Sequence, residues 1–433
     1  MRPIPPHSTR TPAPRSVNPN DLSAVACAHT VNLEWVSRAR TLTPLLAAAG
    51  PRIEADKALP PEVLDALFEA KMFRMFLPNS LGGAELDLAT FFEVILAIAE
   101  GDASAAWSVA QSNGCAFSAA YMEADAARAV FGDARAVTAW GFPAAPCHAR
   151  PVEGGWRVTG TWGFGSGSRH ASWVGAHCNV CDAQGVPLKK SDGSPLERTA
   201  LIPRSSVTIT DAGWNVIGLR GTGSDTYTVK ELFVPGAYCI VPRGMGRDQQ
   251  LPPGAVAEVE SERRENGALY RLSPSVAYQA GFAAVALGIA RAMLNDFIAL
   301  AARKTPASAG ALLRDNSVIQ ARVATSEARL ASLRAWLLQI LRESWDEVLR
   351  SGVHSFEQRV ALRLASTYAI SQARKVADDA YDDAGATAIF EANPFERRLR
   401  DMRAVTQQLQ SHAMHLQTVG QHHLGLTPNT RFF

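Results

Sequence analysis

The 433-residue chain has few cysteines, almost no net charge and no long apolar run, and each shortage removes a class of function. Six cysteines (Cys27, Cys115, Cys147, Cys178, Cys181 and Cys239) in a chain this long read as reduced thiols, not a disulfide framework. Cys178 and Cys181 have C-x-x-C spacing, but no second pair completes a zinc set. That pair also closes a predicted strand, where no helix N-terminus would acidify a thiol, so both read as structural. With 43 Lys+Arg against 41 Asp+Glu the formal net charge is +2, which offers no footprint for nucleic acid or an acidic partner. No apolar run approaches the roughly 20 residues of a membrane span. The alanine-rich stretch 281–292 contains Arg291 and reads as a packed helix. Alternating β-α units are missing, which argues against a Rossmann fold. The glycines of GLRGTGS (218–224) precede a strand and lack Gly-Lys-Ser/Thr, so they form neither a dinucleotide turn nor a P-loop.

What is present falls into zones. Residues 1–20 hold six prolines and read as a flexible leader without the apolar centre of a secretory signal. From 21 to 135 the pattern is helical: Leu59-Pro-Pro-Glu opens a helix with proline in its first turn, and Val63, Leu64, Leu67 and Phe68 form one apolar face. From 136 to 242 short β runs alternate with Gly and Asp turns. Strands are predicted at 156–159, 161–164, 173–180, 199–202, 207–210 and 227–234, which suggests a barrel or sandwich. Residues 243–272 are a polar loop long enough to serve as a lid. From 273 to 433 long amphipathic segments near 275–303, 314–351, 355–388 and 394–424 read as a four-helix bundle.

One stretch resists the strand reading. In GTWGFGSGS (160–168) four glycines interrupt good β formers, and glycine in a strand interior marks a close approach of some other group. Strict alternation would put Trp162 and Phe164 on one face, flanking whatever comes close to Gly165.

The zone order and five motifs together identify the chain as similar to the acyl-CoA dehydrogenase superfamily, in its flavin-dependent monooxygenase branch. The motifs are LPPEVLDALFEAKMFRMFLPNSLGGAELDL, GDASAAWSVAQSN, GGWRVTGTWGFGSGS, WNVIGLRGTGSDTYTVKELFVP and NPFERRLRDMRAVTQQ. The resemblance implies an α+β fold: an N-terminal all-α domain, a middle β-barrel domain and a C-terminal four-helix bundle. It implies a flavin between the β domain and the last helices. Ser166 would stand near flavin N5, with the Gly167 backbone beside it. Trp140, Gly141, Phe142, Trp162, Phe164, Trp214 and Ser224 would line the ring, and Arg303 would hold the phosphate with its planar fork. Pro306 stands where FAD-binding members carry phenylalanine, which favours FMN over FAD.

Two chemistries divide that superfamily. Acyl-CoA dehydrogenases need a carboxylate base at one of two places, which here are Tyr278 and Leu409. The monooxygenase branch needs none, because reduced flavin carries oxygen as a C4a-hydroperoxide and the protein positions and shields it. Phenol-hydroxylating members place a histidine where this chain has Gln408. His412 and His415 follow at helical spacing and would share its face, making His412 the candidate replacement. The expected activity is hydroxylation of a small aromatic or heteroaromatic substrate with O2; the alternatives are N- or S-oxygenation, then acyl-CoA dehydrogenation, and outside enzymes a flavin-binding scaffold. A separate flavin reductase would supply reduced flavin, since no nicotinamide fold is visible. The resemblance further implies a homotetramer built as a dimer of dimers, while charge, hydropathy and cysteine usage lead to the expectation of a cytoplasmic protein with no nucleic-acid, membrane or metal partner.

Overall fold

A computed structural model describes residues 30–182, 184–190, 193–210, 213–241, 263–307 and 310–428. The expected leader 1–20 and the lid segment 243–262 lie outside the described residues.

Five helices come first: α1 (Leu33–Asp56), α2 (Pro61–Glu69), α3 (Leu88–Gly101), α4 (Ala103–Ala116) and α5 (Ala124–Phe131). Local chemistry sets their starts. The Asp87 carboxylate accepts from Thr90 N at 2.9 Å to open α3, and Asp102 accepts from Ala105 N at 2.9 Å to open α4. Nine strands follow: β1 (Thr138–Trp140), β2 (Phe142–Pro143), β3 (His148–Val152), β4 (Gly155–Gly165), β5 (Trp173–Val180), β6 (Glu197–Pro203), β7 (Thr208–Ile209), β8 (Asp225–Pro235) and β9 (Cys239–Ile240). The chain then returns to helices: α6 (Ser275–Ala301), α7 (Ser317–Ser351), α8 (Phe356–Ala384), α9 (Pro394–Val405) and α10 (Met414–His423).

The expected barrel is not formed. The strands make one mixed sheet in the order β7-β8-β4-β3-β5-β6-β9, with β1 parallel to β5 and β2 antiparallel to β4. Among the described residues no ladder joins β7 to β9. Each of these edge strands is two residues long, too short to carry the pairing that closure requires. The sheet instead packs one face on its own apolar cluster, which includes Val158, Trp162, Val174, Ala176, Ile202 and Tyr227.

The first and last helices share a single core, running from Trp35 in α1 through Phe91 in α3 and Phe282 in α6 to Val405 in α9. Among the described residues α6 alone is long and apolar enough to pass for a membrane span, and here its apolar surface is spent in that core. Gly288 permits the close contact with α3, since a Cβ there would meet Ala99 Cβ at 2.5 Å. The described end of the 243–272 segment is anchored in the same core: Leu269 and Tyr270 are fully buried, and Tyr270 Oη donates to Phe76 O at 3.0 Å.

The predicted helix over 394–424 is broken. It ends at Val405, makes a tight turn at Leu409–Ser411 and restarts at Met414. Side chains take over the backbone's partners there. The Thr406 hydroxyl donates to Arg403 O, Ser411 Oγ lies 2.7 Å from both Thr406 O and Gln408 O, and Gln408 Oε1 accepts from Gln410 N at 2.6 Å.

Candidate active site

Between the sheet and the helices lies a cavity of about 660 Å³. Its walls come from α4 (Trp107, Gln111), the β1–β2 segment (Trp140, Gly141, Phe142), β4 (Phe164) and β5 (His177). The 214–224 loop, α6 (Tyr278, Phe282) and the broken segment after α9 (Gln407 to Gln410) complete it. Among the described residues that line it, none is Asp, Glu, Lys or Arg.

The aromatic walls are paired. Trp107 stacks on Phe282 with centroids 3.8 Å apart and planes 9° from parallel. Phe164 meets Trp214 edge-on at 5.9 Å, and Trp140 meets His177 edge-on at 5.3 Å.

A chain of hydrogen bonds runs along one wall. Trp107 Nε1 donates to Ser166 Oγ at 3.0 Å. Ser166 Oγ lies 2.7 Å from Ser224 Oγ, which lies 2.7 Å from Thr222 Oγ1. The Thr222 hydroxyl donates to Leu219 O at 2.8 Å. The two ends fix the polarity, because an indole N–H only donates and a carbonyl only accepts. Thr222 spends its hydrogen on Leu219, so Ser224 donates to Thr222 and Ser166 donates to Ser224. Ser166 therefore keeps one free acceptor site.

The loop that supplies Thr222 and Leu219 is held by α9. Leu219, at φ 52°, donates its N–H to Asp401 Oδ1 at 2.6 Å. A side chain at Gly218 would run into the Arg400 carbonyl. Burial, and then the neighbouring Asp102, push the Asp401 carboxyl up to about 7, against the opposing pull of Arg397.

The anticipated site residues divide. Trp140, Gly141, Phe142, Phe164, Ser166, Trp214, Ser224 and Gln408 line the cavity. Trp162, Gly167, Arg303 and His412 do not. Trp162 and Phe164 do not share a face: a register shift separates Trp162 from Gly165, and Phe164 sits at φ 60°. The bulge turns Phe164 outward to 65% exposure while Trp162, at 0%, stacks on Tyr227 in the sheet core. The group that comes close to Gly165 is Tyr227, whose ring would lie 2.9 Å from an added Cβ. The Gly167 N–H is already given to Thr222 O at 2.9 Å, and the Ser166 N–H to Phe164 O at 2.8 Å, so neither is free to contact a ligand.

Arg303 is exposed beyond the end of α6. It lies about 20 residues, roughly 30 Å of helix, from Phe282 in the cavity. The break after α9 also undoes the shared face of Gln408, His412 and His415. His412 is exposed and accepts from Met414 N at 3.2 Å, and His415 is buried against Leu409 O at 2.9 Å. Sequence reasoning missed Trp107, His177, Phe282 and Gln111. Trp107 lay within a quoted motif, and period-2 alternation along β5 puts His177 on the face opposite Val174, Ala176 and Cys178.

A flavin fits these residues. A flat conjugated ring needs broad apolar walls and a few polar points, and the cavity offers aromatic walls, the free acceptor site on Ser166 and the buried Gln408 Nε2, which has no partner among the described residues. The fold and site define a flavoprotein of acyl-CoA dehydrogenase architecture. The family model for the acyl-CoA dehydrogenase C-terminal domain matches residues 280–415. The chain is 29% identical over 347 residues to an indole-3-acetate monooxygenase of Pseudomonas putida, spanning 80% of this chain and 82% of that protein. Its fold matches the 3-HSA hydroxylase of Rhodococcus sp. RHA1 with TM-score 0.81 at 24% identity, over 92% of this chain and 99% of that one. It matches XiaF from Streptomyces sp., solved with FADH2 and glycerol, with TM-score 0.80 at 23% identity, over 92% and 96%. Within that architecture, the chain is similar to the two-component flavin-dependent monooxygenases.

Proposed function

We propose that this chain is the oxygenase component of a two-component system that hydroxylates a small aromatic or heteroaromatic substrate with O2, using reduced FMN or FAD delivered by a separate reductase. One observation carries the reading. Tyr278 and Leu409, the two positions from which the dehydrogenases draw their base, both line the cavity, and neither is acidic. Burial holds the Tyr278 hydroxyl well above its ordinary pKa, and it accepts from Trp140 Nε1 at 3.0 Å. It does not replace a carboxylate base.

Reduced flavin supplies oxygen activation when bound. The chain's residues do the rest. Ser166 offers its free acceptor site to an N–H on the ring. Phe164 and Trp214 cover one wall, and Trp107 and Phe282 line another. The uncharged lining excludes ions that would draw in water. Phe142, Phe164 and Ile217, between 56% and 65% exposed at the cavity mouth, fit a site covered by cofactor and by a second copy of the chain. In the proposed tetramer such a copy would also bring Arg303 to a phosphate.

The test is anaerobic loading with reduced FMN followed by mixing with 18O2 and phenolic or indolic substrates. Incorporation of one labelled oxygen atom into product is expected. Anaerobic reduction of bound flavin by an acyl-CoA thioester would overturn the reading.

A further inference from the structure

His177 has no part in the reading above, yet it is the one histidine among the described residues that lines the cavity. It lies on the face of β5 opposite Val174, Ala176 and Cys178, which enter the sheet core. Its position is fixed from several sides. Its carbonyl accepts from Trp162 Nε1 at 2.9 Å. Its ring meets Trp140 edge-on, and Trp140 can lie over the strand because residue 175 has no side chain; a Cβ at Gly175 would press into the Trp140 ring. Its Nδ1 lies 2.7 Å from Thr199 Oγ1, on the directly paired residue of β6.

The Thr199 pairing decides the tautomer. Thr199 is 1% exposed, and among the described residues its hydroxyl has no other partner. If Nδ1 carried the proton, the Thr199 hydroxyl hydrogen would be left buried and unpaired, which is costly. If Thr199 donates to Nδ1, nothing is left over, and the ring proton is on Nε2. Nε2 has no partner among the described residues and is not among the buried unpaired atoms, so it opens on the cavity. Burial lowers the imidazole pKa to about 4, which keeps the ring neutral at working pH. The remaining titratable group in the lining is Tyr278, with Cys115 behind it, and both hydroxyl and thiol are raised by burial and stay protonated.

We propose that His177 Nε2–H is the hydrogen-bond donor that receives an oxygen substituent of the aromatic substrate, so that the site selects phenols and stabilises their phenolate form. The inference rests on the reading of the cavity as a substrate site. It provides, from β5, the phenol contact that the exposed His412 does not supply from the last helices.

The experiment uses flavin-free protein and no turnover, so its outcome is independent of whether oxygen is transferred. 4-Nitrophenol is titrated into wild type, His177→Phe, His177→Gln and Thr199→Val at one fixed pH, and the bound phenolate-to-phenol ratio is read from the visible spectrum. Far-UV circular dichroism matching wild type qualifies each variant. A hydrogen bond to an anion is among the stronger ones, so His177→Phe is expected to lower the ratio about tenfold. His177→Gln keeps an N–H donor and is expected to recover part of it. Thr199→Val, which frees the tautomer, is expected to fall between wild type and His177→Phe. An unchanged ratio in His177→Phe, or no binding of 4-nitrophenol by wild type, overturns the proposal. If His177→Phe fails to fold, an unchanged ratio in both other variants overturns it equally.

Discussion

The polarity of the Ser166 chain makes a quantitative prediction about flavin redox state. With flavin N5 over Ser166, as proposed, the reduced ring presents an N–H and the oxidised ring a bare acceptor. Ser166 has one hydrogen, spent on Ser224, and one of its two acceptor sites is taken by Trp107. It can therefore receive the reduced N5–H but cannot donate to oxidised N5. Ser224→Ala removes the acceptor that holds the Ser166 hydrogen and releases it toward the ring. Oxidised flavin then gains a hydrogen bond worth about 1 kcal/mol net and loses an acceptor–acceptor clash of similar size. The ratio of oxidised to reduced dissociation constants should fall by about 5- to 30-fold. Thr222→Val acts one link further along. Ser224, without its acceptor, turns its hydrogen toward Ser166, and the Ser166 hydrogen is again freed, so the shift has the same sign. The assay is a pair of tryptophan-fluorescence titrations, with FMN in air and with FMN reduced anaerobically by dithionite. If both variants keep the wild-type ratio, the hydroxyl chain does not set what Ser166 offers the ring.

Three other outcomes follow from the packing. Trp162→Ala should cost about 3–5 kcal/mol in urea unfolding, as a buried indole is lost from the sheet core, while the affinity of surviving folded protein for reduced flavin stays close to wild type; a selective loss of flavin binding would return Trp162 to the site. Gly165→Ala should cost about 1–3 kcal/mol, because the new methyl meets the Tyr227 ring at 2.9 Å and Asp225 O at 3.0 Å, and a neutral substitution would show that the strand yields there. The Asp401 carboxyl is raised in the fold from 3.8 to about 7, so its stabilising share is complete below about pH 4 and lost as pH rises through 7. That gap is worth about 4 kcal/mol at most. Asp401→Asn, which can still accept from Leu219 N, should therefore melt higher than wild type at pH 8, by a smaller margin at pH 5, and converge with it only below about pH 4; an equal difference across that range would contradict the assignment.

Much of the architecture was legible along the chain because it is local. The proline start of α2, the Asp87 and Asp102 caps, the apolar faces of α6 to α8 and the alternation of β5 are set by neighbours within a turn or a few residues. The prediction of two acid-free positions was legible too, since it depends only on residue type at Tyr278 and Leu409. What failed depends on contacts distant in sequence. Phe164 leaves the face of Trp162 because β4 bulges against β8, and a one-residue slip of that kind moves a side chain to the other face. The last helix breaks because Thr406, Gln408 and Ser411 satisfy its backbone groups in a turn, a competition that helical periodicity does not register.

The sequence by itself determined which elements form, in what order, and that no acid stands where a dehydrogenase needs one, since residue type and short-range spacing carry that information. Only the tertiary structure decided that the sheet stays open, because closure depends on whether two edge strands meet. It alone decided what the glycines of GTWGFGSGS admit, because Tyr227 reaches Gly165 from a strand some 60 residues away in the chain. It also decided that Trp107, Ser166, Ser224 and Thr222 form one polarised chain and that His177 opens on the same cavity. Hydrogen-bond direction is set by the partners at a chain's ends, and here those partners come together only through the fold.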